Sequence, residues 1–212
     1  MTGKLFISVI VPLFILVPII TGAIKFTQLP ASVRLLWYYL VATALINTAA
    51  TIVGRGFHTN NMPILHLFTL LEGLMLFWFY QQITDPGKMK NGYKILLAAY
   101  FLTCLLNAAF IQSIYVYSSY TRYLESIICM LFALNYFARI AALGTRPLEA
   151  PLFYFNAGIF LYFSGSFVLF IFSNVILQKL PPSTMLIFWT IHSSFVMVMY
   201  LLFSTGFILC KK

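Results

Sequence analysis

Apolar positions in this chain come in long unbroken runs, not in the alternating or one-sided patterns that water-soluble strands and helices show. A helix needs roughly 20 apolar residues to cross about 30 Å of hydrocarbon. Seven stretches meet that length, at about 5–24, 34–54, 63–84, 93–112, 121–143, 152–175 and 184–209. Breakers or charges bound them: Leu29-Pro30, Arg55-Gly56, Asp85-Pro86-Gly87, Gly144 to Pro147, and Pro181-Pro182. The pattern predicts an all-α polytopic membrane bundle of seven transmembrane helices, forming one transmembrane domain over 1–212. Pro12 and Pro18 each remove a backbone donor inside the first span, which predicts a bend there. That span, with Lys4 ahead and Thr21-Gly22-Ala23 behind, also has the outline of a signal peptide, but it is expected to be retained as a helix. No internal repeat relates the first three spans to the last three.

Composition strengthens this reading. The chain is 62% hydrophobic and 8% charged, whereas soluble domains run near about 45–50% apolar and about 25% charged. A net charge of +9 would suggest nucleic acid in a soluble protein, but here the basic residues flank apolar runs, so the bilayer is the expected partner and nucleic acid is not. Lys4, Arg55, Arg122 and Lys179 fall on one side of the spans. Lys25, Arg34, Lys88, Lys90, Lys94, Arg139, Arg146, Lys211 and Lys212 fall on the other. The bias predicts an amino terminus outside and a carboxyl terminus in the cytoplasm, the orientation of a protein of a bacterial inner (plasma) membrane. Tyr115, Tyr117, Tyr120 and Tyr123 suit an aromatic belt at the outer headgroups. Cys104, Cys129 and Cys210 lie in or beside apolar runs and predict no disulfide; Cys210 beside Lys211 and Lys212 is a candidate for acylation, with plain packing the simpler expectation.

The informative residues are the polar ones at membrane depth, because they must face the bundle interior or one another. Asn47, His66, Glu72, Asn107, Arg122, Glu125, Asn174 and His192 share the outer half, while Asn135 and Asn156 lie deeper. Helical spacing gathers several into stripes: Tyr39, Thr43, Asn47 and Thr51; Tyr100, Thr103 and Asn107; Arg122, Glu125, Ser126 and Cys129; Tyr162, Ser166 and Ser173; Trp189, His192, Ser193, Val196 and Tyr200. Small and hydroxyl residues also serve as helix-packing positions, as Ala157, Gly158, Ser164 and Gly165 suggest. Glu72 has no Lys or Arg within a turn and needs a proton, a partner on another helix or water. Glu125 has Arg122 one turn away, which predicts a local pair at the membrane edge. An outward pocket is expected from Asn47, His66, Glu72, Asn107, Glu125, Asn174, Trp189 and His192.

Three function classes remain open. A sensor or binding protein would use that pocket and signal to a separate cytoplasmic or membrane partner, the short inner loops carrying no enzyme of their own. A metal-dependent hydrolase acting on a lipid-like substrate would need zinc on His66, Glu72 and His192, with no catalytic residue otherwise identifiable. The spacing argues against it, since no two of these ligands share a helical face and His66 and Glu72 point about 120° apart. A proton-coupled carrier would use Glu72. Retinal is not expected, because the last span has no lysine for a Schiff base. The runs Asn60-Asn61-Met62-Pro63 through His66 to Glu72, Tyr162-Phe163-Ser164-Gly165-Ser166 with Asn174, and Trp189 with His192 resemble an uncharacterised family of small bacterial seven-helix membrane proteins. That resemblance implies no activity, substrate or cofactor.

Overall fold

The computed structural model describes residues 2–84, 86–143, 148 and 150–210, with the backbone alone for residues 2 and 86–90. Breakers expected at Asp85 and Gly144 to Pro147, and the charges of Lys88, Lys90, Arg146, Lys211 and Lys212, lie outside the described residues or side chains. The fold is all-α and 89% helical. Seven helices are long and apolar enough to cross a membrane, which marks an integral membrane protein: α1 (Gly3–Ile24), α2 (Ala31–Gly56), α3 (Met62–Ile83), α4 (Asn91–Ile111), α5 (Ser119–Ala142), α6 (Pro151–Lys179) and α7 (Pro182–Leu209).

Prolines set several helix starts. Pro63, Pro151 and Pro182 occupy first-turn positions of α3, α6 and α7, where a missing N–H leaves no bond unmade. Pro30 precedes α2 in extended conformation. In α1 the expected loosening takes the form of a wide π turn over Phe6–Ile10, with the Val11 N–H reaching the Phe6 carbonyl just before Pro12. A second break falls at Ile15, ahead of Pro18. Helices α2 and α4 also end in π turns, at Ile52–Gly56 and Asn107–Ile111.

Packing arranges six of the helices as a closed ring. Helix α1 contacts α2 and α7, α2 contacts α3, α3 contacts α5, α5 contacts α6, and α6 contacts α7. Helix α4 stands outside this ring against α3, and accordingly has the smallest buried share of its span, 17%, against 44% for α6. Tyr100 of α4 lies across Gly73 of α3 and donates to the Thr69 carbonyl at 2.9 Å. The α6–α7 seam is close because glycines on each side receive aromatic rings from the other. Gly158 and Gly165 take Phe203 and Phe195, and Gly206 takes Phe155. Such seams replace the hydrophobic drive that lipid cannot supply with van der Waals contact. Asn156, fully buried, links three helices, accepting from Tyr80 at 2.9 Å and donating to the Ala133 carbonyl at 3.2 Å.

Candidate functional site

Inside the ring, at the end that carries the α2–α3 and α4–α5 connections, lies a charged cluster. Arg122, in the first turn of α5, points inward and is 3% exposed. Its Nη1 donates to Oε2 of Glu72 on α3 and, at 2.9 Å, to Oε2 of Glu125. Nη2 donates to the Tyr162 hydroxyl on α6 at 2.5 Å, and the guanidinium lies 4.7 Å from the Phe170 ring centroid. Glu72 is held from the far side by the Tyr39 hydroxyl of α2, which donates to Oε1 at 2.6 Å. Three ring helices, α3, α5 and α6, thus meet at one guanidinium, and α2 joins them through Glu72.

Arg122 is not among the exposed outer charges: it turns inward, and the local pair expected with Glu125 forms inside the bundle, where Glu125 is fully buried. The reason is a roof. The 112–118 connection crosses above Arg122, and its Tyr117 stacks edge-on against Trp189 at 6.1 Å. Tyr117 therefore covers the site instead of joining a surface belt, and burial pushes its phenol above the ordinary range against the pull of Arg122.

Charge balance constrains the cluster. One guanidinium faces two carboxyls in an apolar bundle, and an uncompensated buried charge is costly. Glu72 receives donors on both oxygens, as an ionised carboxylate should. Glu125 uses only Oε2, and its Oε1 has no partner among the described residues. A single proton retained on Glu125 makes the cluster neutral.

Above and beside these charges is a cavity of about 610 Å³, within the roughly 300–1,000 Å³ common for small-molecule sites. Two of the polar stripes line it completely: Tyr39, Thr43, Asn47 and Thr51 from α2, and Trp189, His192, Ser193, Val196 and Tyr200 from α7. Glu72, Thr69, Arg122 and Tyr162 form its charged end, and Tyr117 closes one side. His192 is held by Ser166, whose hydroxyl is 2.9 Å from Nδ1.

Of the expected pocket residues, Asn47, Glu72, Trp189 and His192 line this cavity, and Glu125 sits behind Arg122. His66, Asn107 and Asn174 do not line it. They hold the roof instead. His66 Nε2 is 2.9 Å from the Val116 carbonyl, and Asn174 donates to the Tyr117 carbonyl at 2.9 Å and to the Ser119 hydroxyl at 3.0 Å. Asn60 adds a bond to the Tyr115 carbonyl at 2.8 Å, so three successive carbonyls are captured by side chains. Asn107 lies on α4, outside the ring, and reaches only Gln112, which in turn donates to Ser119. Irregular backbone at membrane depth needs such partners.

The trio His66, Glu72 and His192 is not brought together, because His66 faces the roof while the other two face the cavity. No group of three His, Cys, Asp or Glu residues suited to a metal occurs among the described residues. Sequence reasoning missed the contribution of α1, whose Ile7, Ser8 and Val11 complete the wall; a lone serine among apolar residues makes no polar stripe to notice. Cys210 packs into the core at 3% exposure, and burial pushes its thiol up. No family model, curated protein or solved structure matches the chain.

Proposed function

We propose that the chain is a membrane-embedded binding protein of the sensor type, which takes a small molecule into the cavity between α2 and α7 and passes the change to a separate signalling partner. One observation carries this reading: two independent polar stripes, invisible to each other in sequence, line one cavity that ends on the Glu72–Arg122 pair. An amino terminus outside fits the basic residues, because removing buried Arg122 from the outer set sharpens their bias toward the opposite side. The cavity then opens toward the exterior half of a bacterial inner membrane. Short connections without a fold of their own leave the output to a partner.

The test is thermal unfolding of purified protein in mild detergent against a panel of acidic, basic and neutral small solutes and single-chain amphiphiles. A compound present at a hundredfold excess over its Kd adds about 2.7 kcal/mol, so at least one should raise Tm saturably. Ser193→Trp, whose indole would occupy the cavity, should abolish that rise. Silence across the panel, or an unchanged response in Ser193→Trp, removes the reading. Two carboxyls on one guanidinium also favour proton-coupled transport as a second reading. Accumulation of a binding compound inside liposomes would distinguish it.

A further inference from the structure

The route into the cavity carries information about what enters. Every exposed residue that lines it belongs to α1 or α2: Pro12, Leu13 and Leu16 on one side, and Asn47, Thr48, Thr51, Ile52 and Arg55 on the other. Lining residues from α3, α5, α6, α7 and the roof are buried or half-buried. The opening is therefore a slit between α1 and α2.

That slit has the shape of a V. The two helices are held together at the Lys25–Pro30 end, where the Trp37 indole donates to the Ile19 carbonyl at 2.9 Å and its ring fills the space over Gly22. Contacts of α1 with α2 concentrate in the segment Leu16–Ile24 and fall away toward Ser8 and Thr51. Along the open arm the α2 polar groups are turned back on their own helix. Thr48 donates to the Ala44 carbonyl at 2.7 Å, Thr51 to the Asn47 carbonyl at 2.8 Å, and Asn47 to the Thr43 carbonyl at 3.0 Å. With their hydrogen bonds made, these side chains present an edge an alkyl chain can pass.

The blind end defines the head. Glu72 and Arg122 pair with each other, and Tyr39 and Tyr162 add bonds to them; Nε of Arg122 and Oε1 of Glu125 have no partner among the described residues. At the blind end a charged head would carry the desolvation cost of a buried unpaired charge, because the one exposed cation among the lining residues, Arg55, stands at the mouth of the slit. Thr43 lines the cavity and is 4% exposed, and its hydroxyl, itself buried, has no partner among the described residues. A buried hydroxyl without a bond is a place prepared for one. The volume of about 610 Å³ is that of a small-molecule site, and the α1 wall of the slit, Pro12, Leu13 and Leu16, is apolar.

We propose that the ligand is a single-chain amphiphile with an uncharged hydroxyl-bearing head, admitted sideways from the bilayer through the slit between α1 and α2 and hydrogen-bonded by Thr43. This rests on the binding reading above and names its ligand class. The test uses liposomes of the full chain and fluorescence of Trp189, which lines the cavity, taken as the difference between wild type and Trp189→Phe. The quenchers are brominated 1-monoacylglycerol, fatty acid and alkylamine of equal chain length. The monoacylglycerol should quench Trp189 saturably at the lowest mole fraction. Thr43→Val should raise that mole fraction about tenfold, the loss expected for about 1.4 kcal/mol, with circular dichroism confirming its fold. Thr48→Phe, which narrows the slit, should delay quenching without changing its end point. Equal quenching in wild type and Trp189→Phe, or preference for the acid or the amine, overturns the proposal. A panel response to water-soluble solutes without any Trp189 quenching would overturn this proposal while leaving the binding reading standing.

Discussion

Arg122→Met should be the most destabilising single change in the bundle outside its glycine seams, lowering stability by about 3–5 kcal/mol. Methionine keeps much of the aliphatic stem, so the loss reports the guanidinium: its ion pairs, its bond to Tyr162 and its contact with the Phe170 ring. Glu72 would lose its counter-ion and Tyr162 its donor, while α3, α5 and α6 would lose their common point. Arg122→Lys should recover only part of this loss, because one ammonium cannot hold two carboxyls and the Tyr162 hydroxyl in the geometry of a planar fork. Unfolding in mixed micelles measures both. A midpoint for Arg122→Met within error of wild type would mean that the cluster contributes nothing to stability.

Substituting the two carboxyls should give unequal results. Glu125→Gln replaces a group argued to be neutral already, and is expected to cost under about 1.5 kcal/mol, the net worth of one ordinary hydrogen bond. Glu72→Gln removes the carboxyl that holds both Arg122 and Tyr39, but Glu125 can take over the pairing with Arg122, so the loss should be intermediate. The double variant leaves Arg122 with no counter-ion, and its loss, about 3–5 kcal/mol, should exceed the sum of the single losses. Additive single effects, or a larger loss for Glu125→Gln than for Glu72→Gln, would reverse the charge assignment.

The helices and two walls of the cavity were readable from residue spacing alone. Tyr39, Thr43, Asn47 and Thr51 share a face because they are four apart, and lipid leaves such a face only the interior. The same holds for Trp189, His192, Ser193, Val196 and Tyr200. Arg122 was readable only in part: spacing puts it on one face with Glu125, Ser126 and Cys129, but an arginine at a helix start among tyrosines also has the sequence appearance of a headgroup anchor. Its burial depends on the roof, and the roof depends on His66 and Asn174 meeting backbone carbonyls whose positions no periodicity encodes. Asn107 was misjudged for a related reason: spacing along α4 shows which face is polar, but not that α4 stands outside the ring.

The central claim is that the α2 and α7 stripes enclose a shared void reachable from outside the protein, and thiol accessibility tests it most directly. In a background with Cys104, Cys129 and Cys210 replaced by alanine, single cysteines at Thr43 and Ser193 are compared with cysteines at Ser126 and Ser166. All four positions are buried, at 4%, 7%, 0% and 0% exposure, but only the first two line the cavity. A small neutral methanethiosulfonate reagent should modify positions 43 and 193 in folded protein and leave 126 and 166 untouched. If 43 and 193 are as inert as the other two, there is no shared void, and the bundle is simply packed.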